Sequence, residues 1–329
     1  MRSAIRFALI LYVSIVSISI GQSKKSDIWS DVNFSGLKFR SIGPAFMSGR
    51  ISDIAIHPED ENIWYLAVGS GNVWKTENAG ITWTPIFDDQ GSYSIGCVTI
   101  DPKNPNVVWV GTGEDLGGRH FGYGDGIYKS DDGGQTWTNM GLKDSEHISK
   151  IVIHPNDSNT IWVASQGPLW SSGGERGVYK TTDGGQNWKL ILKDNEWTGA
   201  TELVLDPRNP DRIYVAMWQR HRNIAAYMGG GPGTGIYTSE DGGESWKKLT
   251  KGLPTSNMGK IGLDISRHNS DVLYAAIELD RRSGGVYRST DRGATWKKMS
   301  NTVSGATGPH YYQELYASPH KFDRLYLMD

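Results

Sequence analysis

Cysteine is nearly missing: Cys97 is the single one in 329 residues, so no intrachain disulfide can form. A chain of this length must then be held by packing, and it is long enough to bury a sizeable core. Neither charge is in surplus. The 34 Lys and Arg stand against 36 Asp and Glu, a formal charge of −2, which excludes nucleic acid as a bulk electrostatic partner. No stretch carries the sustained 3.6-residue period of a long amphipathic helix. There is no Gly-x-x-x-x-Gly-Lys-Ser/Thr phosphate loop and no His-Glu-x-x-His zinc pair. Asp131-Asp132-Gly133 resembles a calcium loop only in composition, because the EF-hand spacing is absent. No metal or cofactor is expected. Cys97 lies in an apolar stretch and reads as buried filler, not as a nucleophile.

Glycine and tryptophan, in contrast, are plentiful: 41 Gly and 13 Trp point to many tight turns and aromatic strand packing, the balance of an all-β protein. They recur in one pattern, Ser-x-Asp-x-Gly-x-Thr-Trp. It appears as Ser130, Asp132, Gly134, Thr136, Trp137 and again around Asp183 and Trp188, Asp241 and Trp246, and Asp291 and Trp296. A weaker copy ends at Trp83, with Asn78 in the Asp position. The closing Trp residues 83, 137, 188, 246 and 296 are separated by 54, 51, 58 and 50 positions. A self-similar period near fifty with strand-like flanks predicts propeller blades of four antiparallel strands. Each motif reads as a hairpin clasp between the third and fourth strands. The Asp accepts backbone N–H groups, the Gly takes a conformation that other residues resist, and the Trp covers the turn.

Other positions repeat as well. The first strand of each repeat ends at His57-Pro58, Asp101-Pro102, His154-Pro155, Asp206-Pro207, Ser266-Arg267 or Ser318-Pro319. A position that takes His, Asp or Ser is a turn position, so the two His residues are not read as metal ligands. Seven residues after each Pro, or after Arg267, comes an aromatic: Tyr65, Trp109, Trp162, Tyr214, Tyr274, Tyr326. The sixth repeat begins at Tyr311 and reaches Asp329 inside its second strand, from which the expectation is a longer protein with a propeller of seven blades if complete.

The segments between second and third strands vary, and variable loops on a rigid scaffold carry function. They run through 111–125, 165–176, 217–234 and 278–284 and lie on the face opposite the clasps. Candidate ligand-binding residues on or near them are Arg50, Glu114, Arg119, His120, Trp170, Arg176, Trp218, Arg220, His221 and Tyr312. The last segment adds Glu278, Asp280, Arg281 and Arg282. A second set belongs to the propeller axis. Five residues before each turn Pro stand Asp53, Cys97, Lys150, Glu202 and Glu314; blade five has Gly262 there, with Lys260 two residues earlier. Such a ring is either a set of salt bridges that fixes blade order or a ligand site. Asp53, Glu202 and Glu314 are catalytic candidates by residue type, since glycoside hydrolysis needs two carboxyl groups.

The N-terminus reads as a targeting segment. Arg2 and Arg6 precede an apolar run, Phe7 to Ile20, too short for a membrane span, and Ser19-Ile20-Gly21 supplies small residues for cleavage before Gln22. The expected organisation is a signal peptide over 1–21, then a leader over 22–45 with a possible ring-closing strand at Leu37 to Ile42, then the propeller over 46–329. The protein is expected to be exported.

The clasps match the Asp-box, or bacterial neuraminidase repeat, over about residues 45 to 329. Phe39-Arg40-Ser41-Ile42-Gly43-Pro44, Gly49-Arg50-Ile51-Ser52-Asp53-Ile54-Ala55, Trp109-Val110-Gly111-Thr112-Gly113-Glu114 and Gly229-Gly230-Gly231-Pro232-Gly233 resemble large bacterial exported proteins with a sortilin (Vps10)-like N-terminal domain. The resemblance implies further domains downstream in the same chain and a glycan, peptide or protein ligand on the loop face; the alternative it implies is a glycoside hydrolase whose cleft is shared with a second propeller. The sequence departs from a sialidase, because Phe39-Arg40 is followed by Ser41-Ile42-Gly43-Pro44 and not by Ile-Pro. It also departs from a sortilin receptor, whose propeller is followed by a Cys-rich module.

Overall fold

The computed structural model describes residues 49–119, 121–280, 283–302 and 312–328. The expected signal peptide, the Leu37–Ile42 strand, and residues His120, Arg281, Arg282 and Tyr311 lie outside them. The described residues form five four-stranded antiparallel sheets and two two-stranded sheets; within each large sheet neighbouring strands follow chain order, and the small hairpin His221–Arg222 with Tyr227–Met228 is inserted in the fourth. In blade one the strands are Ile51–Ile56, Trp64–Val68, Val73–Thr76 and Thr84–Pro85. The first strands of the other four large sheets are Ile95–Ile100, Ile148–His154, Thr198–Asp206 and Ile261–Ile265, and that of the last, two-stranded sheet is Glu314–Ala317. Each of these inner strands packs against the next one in chain order. This is the predicted all-β propeller architecture.

The clasp is local chemistry. Asp132 Oδ1 accepts the N–H groups of Gln135 (2.9 Å) and Thr136 (2.8 Å), and its Oδ2 accepts the Thr136 hydroxyl at 2.6 Å. Ser130 Oγ accepts the Gly134 N–H at 2.8 Å. Gly134 has φ 92°, in the left-handed region, and a Cβ there would sit 2.6 Å from Ile86 Cδ1. The same bonds recur at Asp183, Asp241 and Asp291. Turns between first and second strands are equally local. His57 Nδ1 accepts the N–H groups of Glu59 and Asp60, as Asp101 Oδ1 does for Lys103 and Asn104.

The core is divided into clusters that each lie between neighbouring sheets. The repeated second-strand aromatic is the bolt of each interface. Tyr65 donates its hydroxyl to the Gly133 carbonyl in the next blade's clasp (3.0 Å), Trp162 its indole N–H to Gly242 (3.2 Å), and Tyr214 its hydroxyl to Arg292 (3.3 Å). Trp109 meets Trp188 edge-on, with ring centroids 6.4 Å apart. Cys97 is buried, and burial pushes its thiol well above the usual range, so it serves as packing.

Among the described residues two faces lack such cover. Val98, Ile151, Leu203, Leu263 and Leu315 share one repeat position and are 2–4% exposed, yet Ile54 at that position in blade one is 49% exposed. Tyr326 is also 49% exposed, while its equivalents Tyr65, Trp109, Trp162, Tyr214 and Tyr274 are at most 2% exposed.

Candidate functional site

In a four-stranded antiparallel meander the first and third connections lie at one end and the second at the other. The turns and clasps therefore share one end of the axis, and the long loops share the other. The segment Glu114–Gly117, which follows the second strand of blade two, crosses the loop end. Glu114 is fully buried and holds the Arg50 guanidinium through both oxygens, Nη2 to Oε2 at 2.8 Å, and accepts the Tyr312 hydroxyl at 2.7 Å. Asp115 Oδ2 takes the Lys260 ammonium at 2.9 Å, and its carbonyl accepts Gln166 Nε2 at 3.3 Å. The Leu116 carbonyl accepts from Arg220, which also donates to Gly167 at 3.2 Å, and Gly117 accepts from Arg222 at 2.8 and 3.0 Å. One loop thus contacts blades one, three, four, five and six and plugs the axis with charge-assisted bonds.

This placement corrects part of the expected ligand set. Arg176, Trp218, Arg220 and Glu114 were expected on an exposed loop surface, and all four are buried. Arg176 folds back onto the carbonyls of Pro168 (2.7 Å), Ser171 (2.9 Å) and Gly173 (2.6 Å) and braces its own loop. Trp218 donates its indole N–H to Gly229 at 2.9 Å and lies under Arg220 and Lys260, with the cations 5.3 and 5.7 Å from its ring. The physical reason is that long loops leave many backbone carbonyls without strand partners, and a buried guanidinium satisfies several at once. Loop 278–284 is also corrected, because strands Leu273–Asp280 and Ser283–Ser289 run through it. Arg119 stays exposed, with a bond to the Ile224 carbonyl at 3.3 Å. Trp170 is exposed, and His221 is half-buried against Trp197 with ring centroids 4.0 Å apart. Tyr93, Tyr123, Ile224 and Met228 are exposed as well. His120 lies outside the described residues.

Below the plug the axial set does converge. Lys150 acts electrostatically on Asp53, Glu202 and Glu314, and Asp53 and Glu202 raise its own pKa against the opposing effect of burial. Burial raises all three carboxyl pKa values, with Lys150 opposing; Glu202 is pushed up to about 8. Two members were missed in the sequence, Asp264 and Tyr316. They share the repeat position three before the turn residue, where Ala55, Thr99, Val152 and Val204 stand, so aligning the repeats two columns further would have found them. Asp264 accepts the N–H groups of Ile265 and Ala317, each at 2.7 Å, and Tyr316 donates its hydroxyl to Glu314. His147 is buried against Phe121 and Tyr123, and burial holds it well below its usual range.

Residues 125–253 match the family model Sortilin-Vps10 (sortilin, neurotensin receptor 3), and residues 287–298 match the BNR/Asp-box repeat. The chain is 27% identical over 251 residues to xyloglucanase Xgh74A of Acetivibrio thermocellus, covering 65% of this chain and 27% of that protein. It is 30% identical over 125 residues to the photosystem II assembly lipoprotein Ycf48 of Synechococcus sp., covering 37% of this chain and 30% of that protein. An ancestral GH74 enzyme superposes with a TM-score of 0.60 at 18% identity, over 82% of this chain and 36% of the enzyme, a likeness that shows the fold. The resemblance read from the clasps, an Asp-box propeller with sortilin-like features, therefore holds. This chain spans between a quarter and a third of the length of those curated relatives.

Proposed function

We propose that this chain is the binding propeller of an exported protein and holds a glycan, peptide or protein segment on its loop face. The observation that carries the reading is the bracing of that face. Arg176, Arg220 and Arg222 tie the loops of blades two, three and four into one body through backbone carbonyls, and Tyr93, Tyr123 and Trp170 stand exposed. A platform fixed before the ligand arrives loses little entropy on binding, and aromatic faces suit both sugar rings and apolar side chains. Trp170→Ala is expected to weaken binding of xyloglucan oligosaccharides or of a selected peptide at least about tenfold, in the range of a hot-spot aromatic, with an unchanged Tm. Titration calorimetry beside a thermal melt checks it; equal affinity in the variant would remove Trp170 from the site.

The xyloglucanase relatives favour a second reading, hydrolysis in a cleft shared with a further domain. Glu202, with its raised pKa, is the residue of the axial set suited to act as an acid. Reducing ends released from xyloglucan, and lost in a folded Glu202→Gln variant, would replace binding by hydrolysis.

The uncovered faces at Ile54 and Tyr326 suit a further sheet from a longer polypeptide, packed as the other interfaces are. Hydrogen exchange is expected to show the strand amides around Ile54 and Tyr326 protected in the natural full-length protein and open in the 329-residue chain. Equal exchange in the two would mean that no sheet docks there.

A further inference from the structure

The axis holds a cavity of about 370 Å³ at the turn end, on the face opposite the loops, flanked by Pro155 and Pro207. We infer that this cavity binds an organic cation, a primary ammonium or guanidinium group, that enters from the turn end. The site is separate from the loop platform and does not depend on that reading, because the Glu114–Gly117 plug stands across the loop end of the axis.

Charge is the first argument. Glu202, Asp264 and Glu314 line the cavity, and Asp53 faces the same lysine from blade one. Against these four carboxyl groups stand two lining cations, Lys150 inside and Arg267 on the turn of blade five, while the Lys260–Asp115 pair of the plug acts on Glu202 with opposite signs. Blade two contributes only Cys97 to this ring. The balance favours a positive ligand.

Hydrogen bonding is the second, independent argument. Asp53 is answered by the Ile54 and Val98 N–H groups, Asp264 by those of Ile265 and Ala317, and Glu314 by the Tyr316 hydroxyl. Glu202 is 7% exposed and lines the cavity, and its carboxyl group has no hydrogen bond or ion pair among the described residues. Without a donor the ionised form of this buried carboxyl group is costly, so Glu202 keeps its proton, and a ligand with N–H donors and positive charge removes that cost and stabilises the carboxylate. The Tyr316 ring, over which Lys150 already lies at 5.9 Å, offers a cation a second favourable surface. A metal ion fits less well, because among the described residues no three His, Cys, Asp or Glu side chains are grouped to hold one.

The probe is agmatine, which carries both cationic groups, titrated by calorimetry at about 150 mM salt, where loose surface attraction is screened. Saturable binding at one site per chain is expected. Near pH 7 Glu202 is mostly protonated, since its pKa is held up to about 8, so the arriving cation drives a proton off. Titration in two buffers with different ionisation heats should therefore show proton release near pH 7 that fades about two units higher. This measurement uses the unaltered protein and does not depend on any variant folding. Glu202→Gln should weaken agmatine at least about tenfold and abolish the proton release. Lys150→Met should tighten it. Absence of saturable binding, binding without proton release, or unchanged affinity in a folded Glu202→Gln variant each overturns the proposal.

Discussion

Lys260→Met is expected to destabilise the protein by about 3–5 kcal/mol, the cost of leaving one member of a buried ion pair alone. Lys260 and Asp115 are both buried, and the ammonium reaches the carboxylate at 2.9 Å and the Asp115 carbonyl at 3.2 Å. Among the described residues Asp115 Oδ1 already lacks a partner, and none of them places another donor to rescue the charge. The loss should appear as a lower urea midpoint. The double variant Lys260→Met with Asp115→Leu removes both charges at similar volume and should recover most of the loss, since a buried pair is worth little against well-packed apolar groups. A single-variant cost below about 1 kcal/mol would show that water reaches Asp115 and that the axis is not sealed at the loop end.

Trp162→Ala should cost about 3–5 kcal/mol, the usual range for truncating a buried aromatic. Trp162 is 1% exposed and joins blade three to the clasp of blade four through Gly242. Its removal opens a cavity at an interface; the Gly242 carbonyl keeps the Lys180 ammonium at 2.9 Å, so the loss is one of packing. Trp162→Tyr is the informative companion. Tyr fills the same repeat position in blades one and four, and there its hydroxyl reaches the neighbouring clasp carbonyl. The Tyr variant should therefore lose only about 1 kcal/mol. Comparable losses for Ala and Tyr in denaturant titrations would mean that the fit of the indole, not the bolt between blades, sets the stability.

The two experiments divide along the line between what was legible in the chain and what was not. Trp162 could be picked out without a structure, because an aromatic stands seven residues after the turn Pro in five repeats and after Arg267 in the remaining one. Its partner could not, because Gly242 lies 80 residues away. Lys260 and Asp115 were each visible as charged residues near an axial ring or a long loop. Their pairing across 145 residues was not. Reading the long loops as exposed was sound for Trp170 and Arg119 and wrong for Arg176, Arg220 and Trp218. Nothing in the residue types separates the two groups, since Arg and Trp serve equally as exposed anchors and as buried braces.

The sequence by itself determined the blades: their four-stranded hairpins, their clasps at Asp132, Asp183, Asp241 and Asp291, the turns at His57 and Asp101, and the aromatic bolts. These rest on bonds between residues two to four apart or on a fixed period, so each repeat states its own structure. Only the tertiary structure decided that Glu114–Gly117 plugs the axis, that guanidinium groups lock the loop face, and that Glu202 lines a cavity at the other end. Those outcomes join residues as far apart as Glu114 and Tyr312, separated by 198 positions. Contacts of that range depend on how whole sheets are placed around an axis, and a local pattern carries no information about that distance.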